Sequence, residues 1–212
     1  MKMLFLGILA ALSLVYLVSL WFKRGIFQAV AKVCLVPLIL AVYISGANQI
    51  FFPVILALVL GWLGDIFLLK IKDVRFFRLG LASFLLGHIC YIPSMLYYTG
   101  TPQLIPLIIS IAVAIPLGLF IRRLIHPSKE MSIPAIAYEM VILLMVVSAL
   151  QLFLAQGAPF GALVFAGALC FLVSDTLLAF FTFRTMPRCG DFLVMLTYIS
   201  AQVCIILGLS GF

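Results

Sequence analysis

Long apolar runs, interrupted by short polar, glycine or proline breaks, make up almost the whole chain. The runs are continuous, whereas the strands of a transmembrane barrel would alternate apolar and polar positions. A helix that crosses a bilayer needs about 20 apolar residues. The breaks therefore predict eight helices, at roughly 3–22, 30–46, 50–69, 79–98, 104–121, 132–154, 159–182 and 192–211. The expected fold class is all-α: a polytopic integral membrane protein, an eight-helix transmembrane bundle with short loops, with residues 1–212 as a single transmembrane domain. The first run is too long for a signal-peptide core and lacks an A-x-A cleavage site, so it reads as a retained first helix.

Composition agrees with the pattern and narrows the class. Of 212 residues 67% are hydrophobic and 9% charged, against about 45–50% and about 25% in a soluble domain. The mean hydropathy is +1.37. A disordered chain, a secreted disulfide scaffold and a cytosolic enzyme are all excluded. Five cysteines are present, an odd number with no CxxC pair, which fits small core residues better than a disulfide framework.

The net charge of +7 does not point to nucleic acid, because the basic residues are spread between the apolar runs. Lys23, Arg24 and Lys32 surround the first break, and Lys70, Lys72, Arg75 and Arg78 fill the third. Arg122, Arg123 and Lys129 occupy the fifth, and Arg184 and Arg188 the seventh. The breaks around Ser45-Gly46-Ala47-Asn48, Thr99-Gly100-Thr101-Pro102 and Gln156-Gly157-Ala158-Pro159 carry no basic residue. All of the 13 lysines and arginines except Lys2 thus fall on one side. The positive-inside rule makes that side cytosolic and places both termini opposite.

Ionisable residues inside a span are costly and usually face the bundle interior. Here they are Lys32, Asp65, His88, Glu139 and Asp175, with Gln202 and several tyrosines beside them. Counted from the nearest basic break at about 1.5 Å per residue, all lie within roughly 15 Å of that side. The opposite halves of the spans contain no ionisable residue. A shared depth suggests one cavity open toward the cytosolic leaflet. Phe84, His88 and Tyr91 fall on one helix face, as do Tyr198 and Gln202 on another. Plainer readings stand beside this one: His88 as a helix-to-helix hydrogen bond, Lys32 as a snorkelling side chain, Glu139 as a partner of Lys32 or the cap of a buried network. Two buried aspartates are harder to explain structurally. They also share a weak echo, Leu63-Gly64-Asp65-Ile66-Phe67-Leu68-Leu69 against Val173-Ser174-Asp175-Thr176-Leu177-Leu178, as a tandem repeat of four helices would produce.

No G-x-S-x-G elbow, H-E-x-x-H, P-loop or Rossmann glycine pattern is present. With only His88 and His126, a three-histidine zinc site cannot be built, so no metal ligand is expected. What remains is a pair of carboxylates with a histidine, a lysine and tyrosines in apolar surroundings. Such a set suits acid–base catalysis at an acid-labile bond. A proton-coupled transporter or lipid carrier would use the same buried acids, although the polar residues here stop at mid-depth.

Gly61-Trp62-Leu63-Gly64-Asp65, Phe84-Leu85-Leu86-Gly87-His88-Ile89-Cys90-Tyr91 and Phe171-Leu172-Val173-Ser174-Asp175 resemble the YhhN family of membrane proteins, the lysoplasmalogenases. Tyr138 with Val141, Ile142 and Met145, and Tyr198-Ile199-Ser200-Ala201-Gln202, are similar to that family's pattern too. One departure is that Lys32 is followed by Val33, with the proline at Pro37. The resemblance implies an eight-helix fold, no cofactor and no required metal. It also implies hydrolysis of the vinyl-ether bond of lysoplasmalogen, a lysophospholipid, to a fatty aldehyde and glycerophosphoethanolamine or glycerophosphocholine. Asp65, Asp175 and His88 are then expected to be catalytic. Lys32, Tyr91, Tyr138, Glu139, Tyr198 and Gln202 are expected to bind substrate. Membrane lipids are the other expected partners, and no nucleic acid is expected.

Overall fold

A computed structural model of the chain describes residues 1–22, 25–101, 104–125, 131–184, 187 and 189–212. Lys23, Arg24, Pro102, His126, Lys129 and Arg188 lie outside the described residues. Among the described residues every regular element is a helix: α1 (Lys2–Ser19), α2 (Gly25–Gly46), α3 (Phe52–Leu68), α4 (Val74–Thr99), α5 (Leu104–Ile125), α6 (Ser132–Gln156), α7 (Phe160–Phe183) and α8 (Gly190–Leu209). All but α3 are long and apolar enough to cross a bilayer, and α3, at 17 residues, is slightly shorter. The chain is an all-α, multi-pass membrane protein.

Three helices reach further than the apolar pattern suggested. α4 starts at Val74, so Arg75 and Arg78 stand on the helix and not in a loop. Asp73 makes this possible, its Oδ1 accepting a hydrogen bond from the Arg75 amide at 2.9 Å, the task of an N-terminal cap. α2 starts at Gly25, where Gln28 Nε2 donates to the Ser19 carbonyl at the end of α1, 2.6 Å away. α5 runs on to Ile125 and carries Arg122 and Arg123 in its last turn, where cations complement the exposed carbonyls. At the opposite ends, α4 and α6 are followed by Gly100 and Gly157, each with φ of 71°. Only glycine adopts that conformation without strain.

Large apolar side chains that would be buried in a soluble protein lie outside here. Along α5, Ile105, Ile108, Ile109, Val113, Ile115, Leu119 and Phe120 are all exposed. In a bilayer these are the surfaces that meet acyl chains.

Two compact units divide the chain, Met1–Ser94 with Ser210–Phe212, and Met95–Leu209. In the first, α2 packs between α1 and α3, and Trp62 Nε1 of α3 donates to the Val33 carbonyl of α2 at 2.9 Å. α4 meets α3 through small residues: a Cβ at Gly87 would lie 3.2 Å from the Ala57 carbonyl oxygen. In the second unit α7 packs on both α6 and α8. A Cβ at Gly167 would lie 2.8 Å from the Ala201 carbonyl oxygen, and one at Gly208 2.8 Å from that of Phe160. At Gly161 the obstacle is the Phe153 Cα, at 2.9 Å. Small residues that admit a neighbouring backbone replace hydrophobic driving force in a bilayer, where lipid is as apolar as leucine.

Gly167→Val and Gly208→Val should each destabilise the detergent-solubilised protein by about 1–3 kcal/mol or more, since backbone and not a flexible side chain stands in the way. Gly7→Ala, where nothing lies within 4 Å, should leave the thermal midpoint where it was. Equal midpoints for all three variants would show that these glycines do not set the α7–α8 spacing.

Candidate functional site

In the first unit, Lys32 stands near the start of α2 and Asp65 toward the end of α3, so a tight antiparallel connection brings them to the same end. Lys32 Nζ lies 3.4 Å from Asp65 Oδ1, with the carboxylate side chain 2% exposed and the lysine 15%. Lys32 therefore reaches inward onto Asp65. The residue before the acid, Gly64, leaves room for Phe84 of α4: a Cβ there would lie 2.6 Å from the ring. One turn further along α4 comes His88, buried, and then Tyr91, also buried. Phe84, His88 and Tyr91 thus form one buried row on the helix that packs against α3.

The second unit repeats the theme with different chemistry. Asp175 lies in the later half of α7, and its Oδ2 accepts a hydrogen bond from Tyr138 Oη of α6 at 2.5 Å. The residue before this acid, Ser174, donates from Oγ to the Val194 carbonyl of α8 at 3.1 Å. Tyr198 of α8 is buried and sets its ring edge-on against Phe171, with centroids 5.6 Å apart. Gln202, one turn on, is buried as well. Glu139 follows Tyr138 on α6 and turns toward α5, where its Oε1 would lie 3.2 Å from a Cβ placed on Gly118.

All nine residues expected from the sequence therefore sit on the described helices, where Lys32 is joined to Asp65 and Tyr138 to Asp175. Among the candidate tyrosines, Tyr138 donates its hydroxyl to the Asp175 carboxylate. Asp65 belongs to the first unit and Asp175 to the second. Among the described residues no three of His, Cys, Asp and Glu gather as a metal ion would require.

Residues 24–209 match the profile of the YhhN family. The chain belongs to the YhhN family. The match takes in α2 to α8 and every residue of both polar clusters, while α1 precedes it. No curated protein and no solved structure matches the chain. Arg122, read from the sequence only as a topology marker, stands on α5 one turn beyond Gly118, over which Glu139 lies. The absence of any helix breaker between Phe120 and Ile125 is the sequence signal that could have placed it on α5.

The two members of the Lys32–Asp65 pair should tolerate loss of their partner unequally. Lys32→Met leaves a carboxylate with almost no access to water and should cost about 3–5 kcal/mol. Asp65→Asn leaves a lysine that still reaches solvent and should cost about 1–3 kcal/mol. Unfolding of both variants in mixed micelles checks this, and a Lys32→Met variant as stable as wild type would rule out a buried pair.

Proposed function

We propose that this YhhN chain is a hydrolase that cleaves the vinyl-ether bond of lysoplasmalogens. The observation that supports this most directly is that its two intramembrane aspartates are held in unlike settings, one against the Lys32 ammonium and the other against the Tyr138 hydroxyl. Two carboxyl groups in different surroundings divide the work of acid and base between them. Vinyl-ether hydrolysis needs that division.

In the first step a carboxyl proton moves to the alkene carbon remote from oxygen, and an oxocarbenium ion forms at the carbon bound to oxygen. A carboxylate beside the cation stabilises it. Water then adds to that carbon as a base takes one of its protons, giving a hemiacetal. Transfer of a proton from the new hydroxyl to the ether oxygen releases fatty aldehyde and the glycerophospho alcohol. One water is consumed and the catalytic proton is returned. Asp65 and Asp175 are assigned to these acid and base tasks, Tyr138 to fixing the orientation of the Asp175 carboxyl, and His88 to orienting the water or relaying protons. The long apolar helices supply the surroundings for the single alkenyl chain.

Purified protein in detergent should release aldehyde from lysoplasmenylethanolamine, and Asp65→Asn or Asp175→Asn should each lower turnover at least about 100-fold. Full activity in either variant, or no aldehyde from well-folded wild type, would overturn the assignment. Tyr138→Phe keeps the ring and removes only the donor to Asp175, so kcat should fall about tenfold or more with little change in KM. An unaltered kcat would show that the hydroxyl does not position the acid.

A further inference from the structure

Resting on that hydrolase reading, we propose that Glu139 and Arg122 form a headgroup site selective for phosphoethanolamine: Arg122 takes the phosphate and Glu139 takes the primary ammonium. Three observations support it. Glu139 Oε1 is buried and accepts no hydrogen bond among the described residues, whereas Asp65 and Asp175 each face a partner. A buried carboxylate oxygen without a donor is costly, and a ligand that brings a donor relieves the cost. The carboxylate also lies directly over Gly118 of α5, and Arg122 stands one turn further along the same face of that helix. Finally, no ion pair joins Arg122 to Glu139 among the described residues, and Arg122 is exposed at the helix end.

An anionic oxygen and an exposed guanidinium, neighbouring but not closed on one another, match a zwitterion in which phosphate and ammonium are separated by two carbons. The guanidinium suits phosphate through paired N–H donors. The buried oxygen suits –NH3⁺, which carries three donors, over a trimethylammonium, which has none. Gly118 matters because any side chain there would meet Glu139 and Leu143, whose Cδ1 would lie 2.9 Å from the new Cβ. Position 139 also adjoins Tyr138, so the headgroup is held one residue from the side chain that hydrogen-bonds Asp175.

The test is equilibrium binding of radiolabelled 1-alkyl lysolipids, which lack the vinyl-ether bond and cannot be turned over, to the full-length protein in detergent. Three headgroups are compared: phosphoethanolamine, phosphocholine and phosphate alone. Wild type should bind the ethanolamine lipid about tenfold more tightly than the other two, the size expected of one charge-assisted hydrogen bond. Glu139→Gln should erase that preference and leave the three affinities equal. Arg122→Gln, an exposed position that does not endanger folding, should weaken all three alike while the ethanolamine preference stays. A preference that persists in Glu139→Gln, or no preference in wild type, overturns the proposal. Chain-free glycerophosphoethanolamine should bind far more weakly than the lipid, and equal affinity would make the free headgroup the ligand and overturn the lysolipid assignment. Aldehyde release is scored separately. Turnover without an effect of Glu139→Gln on selectivity sinks only the headgroup site, whereas the preference without turnover sinks only the hydrolase reading.

Discussion

A charge or hydroxyl inside a bilayer must find its partner within the protein, because no water is there to take its place. That constraint governs this chain more than any other. The apolar surface of the helices supplies length and solubility in lipid, but lipid is as good a solvent for leucine as a neighbouring helix is. What fixes one helix against the next is therefore polar pairing and close packing at small residues. Both occur at the same places: Gly64 admits Phe84 immediately before Asp65, which meets Lys32. Close packing brings the helices near enough for a short carboxylate to be reached, and the pair in turn penalises any other register.

The sequence revealed much of this, unevenly. Spans and breaks were legible because a 20-residue apolar run has few other uses, and the carboxylates stood out because ionisable groups are so rare among them. Helix ends beyond the hydrocarbon were not. Arg75 and Arg78 looked like a loop because charge marks the limit of the apolar run, while the helix itself continues to the Asp73 cap. Arg122 was hidden in the same way on α5. Pairings were the least legible feature, since depth along a helix says nothing about direction around it. Lys32 and Glu139 lie at compatible depths, yet Lys32 reaches Asp65 and Glu139 lies over Gly118. Tyr91 and Tyr198 were the tyrosines expected to hydrogen-bond the carboxylates, whereas the hydroxyl that reaches Asp175 is that of Tyr138.

The short echo between the two aspartate segments gains physical meaning from the contacts around it. In the first unit the acid is on the third helix, its partner Lys32 is near the start of the second, and the preceding residue Gly64 touches the fourth through Phe84. In the second unit the acid is on α7, its partner Tyr138 is near the start of α6, and the preceding residue Ser174 touches α8 through Val194. Position for position, each acid looks back to the preceding helix and its neighbour looks forward to the next. Almost none of the residue types correspond, apart from the acid itself. The placement is shared and the chemistry is not: a cation in one unit, a neutral hydroxyl in the other. Two identical carboxylate environments would duplicate one role. The same placement with different partners puts the two carboxyl groups in different surroundings, and the division of acid and base roles in the proposed hydrolysis rests on that difference.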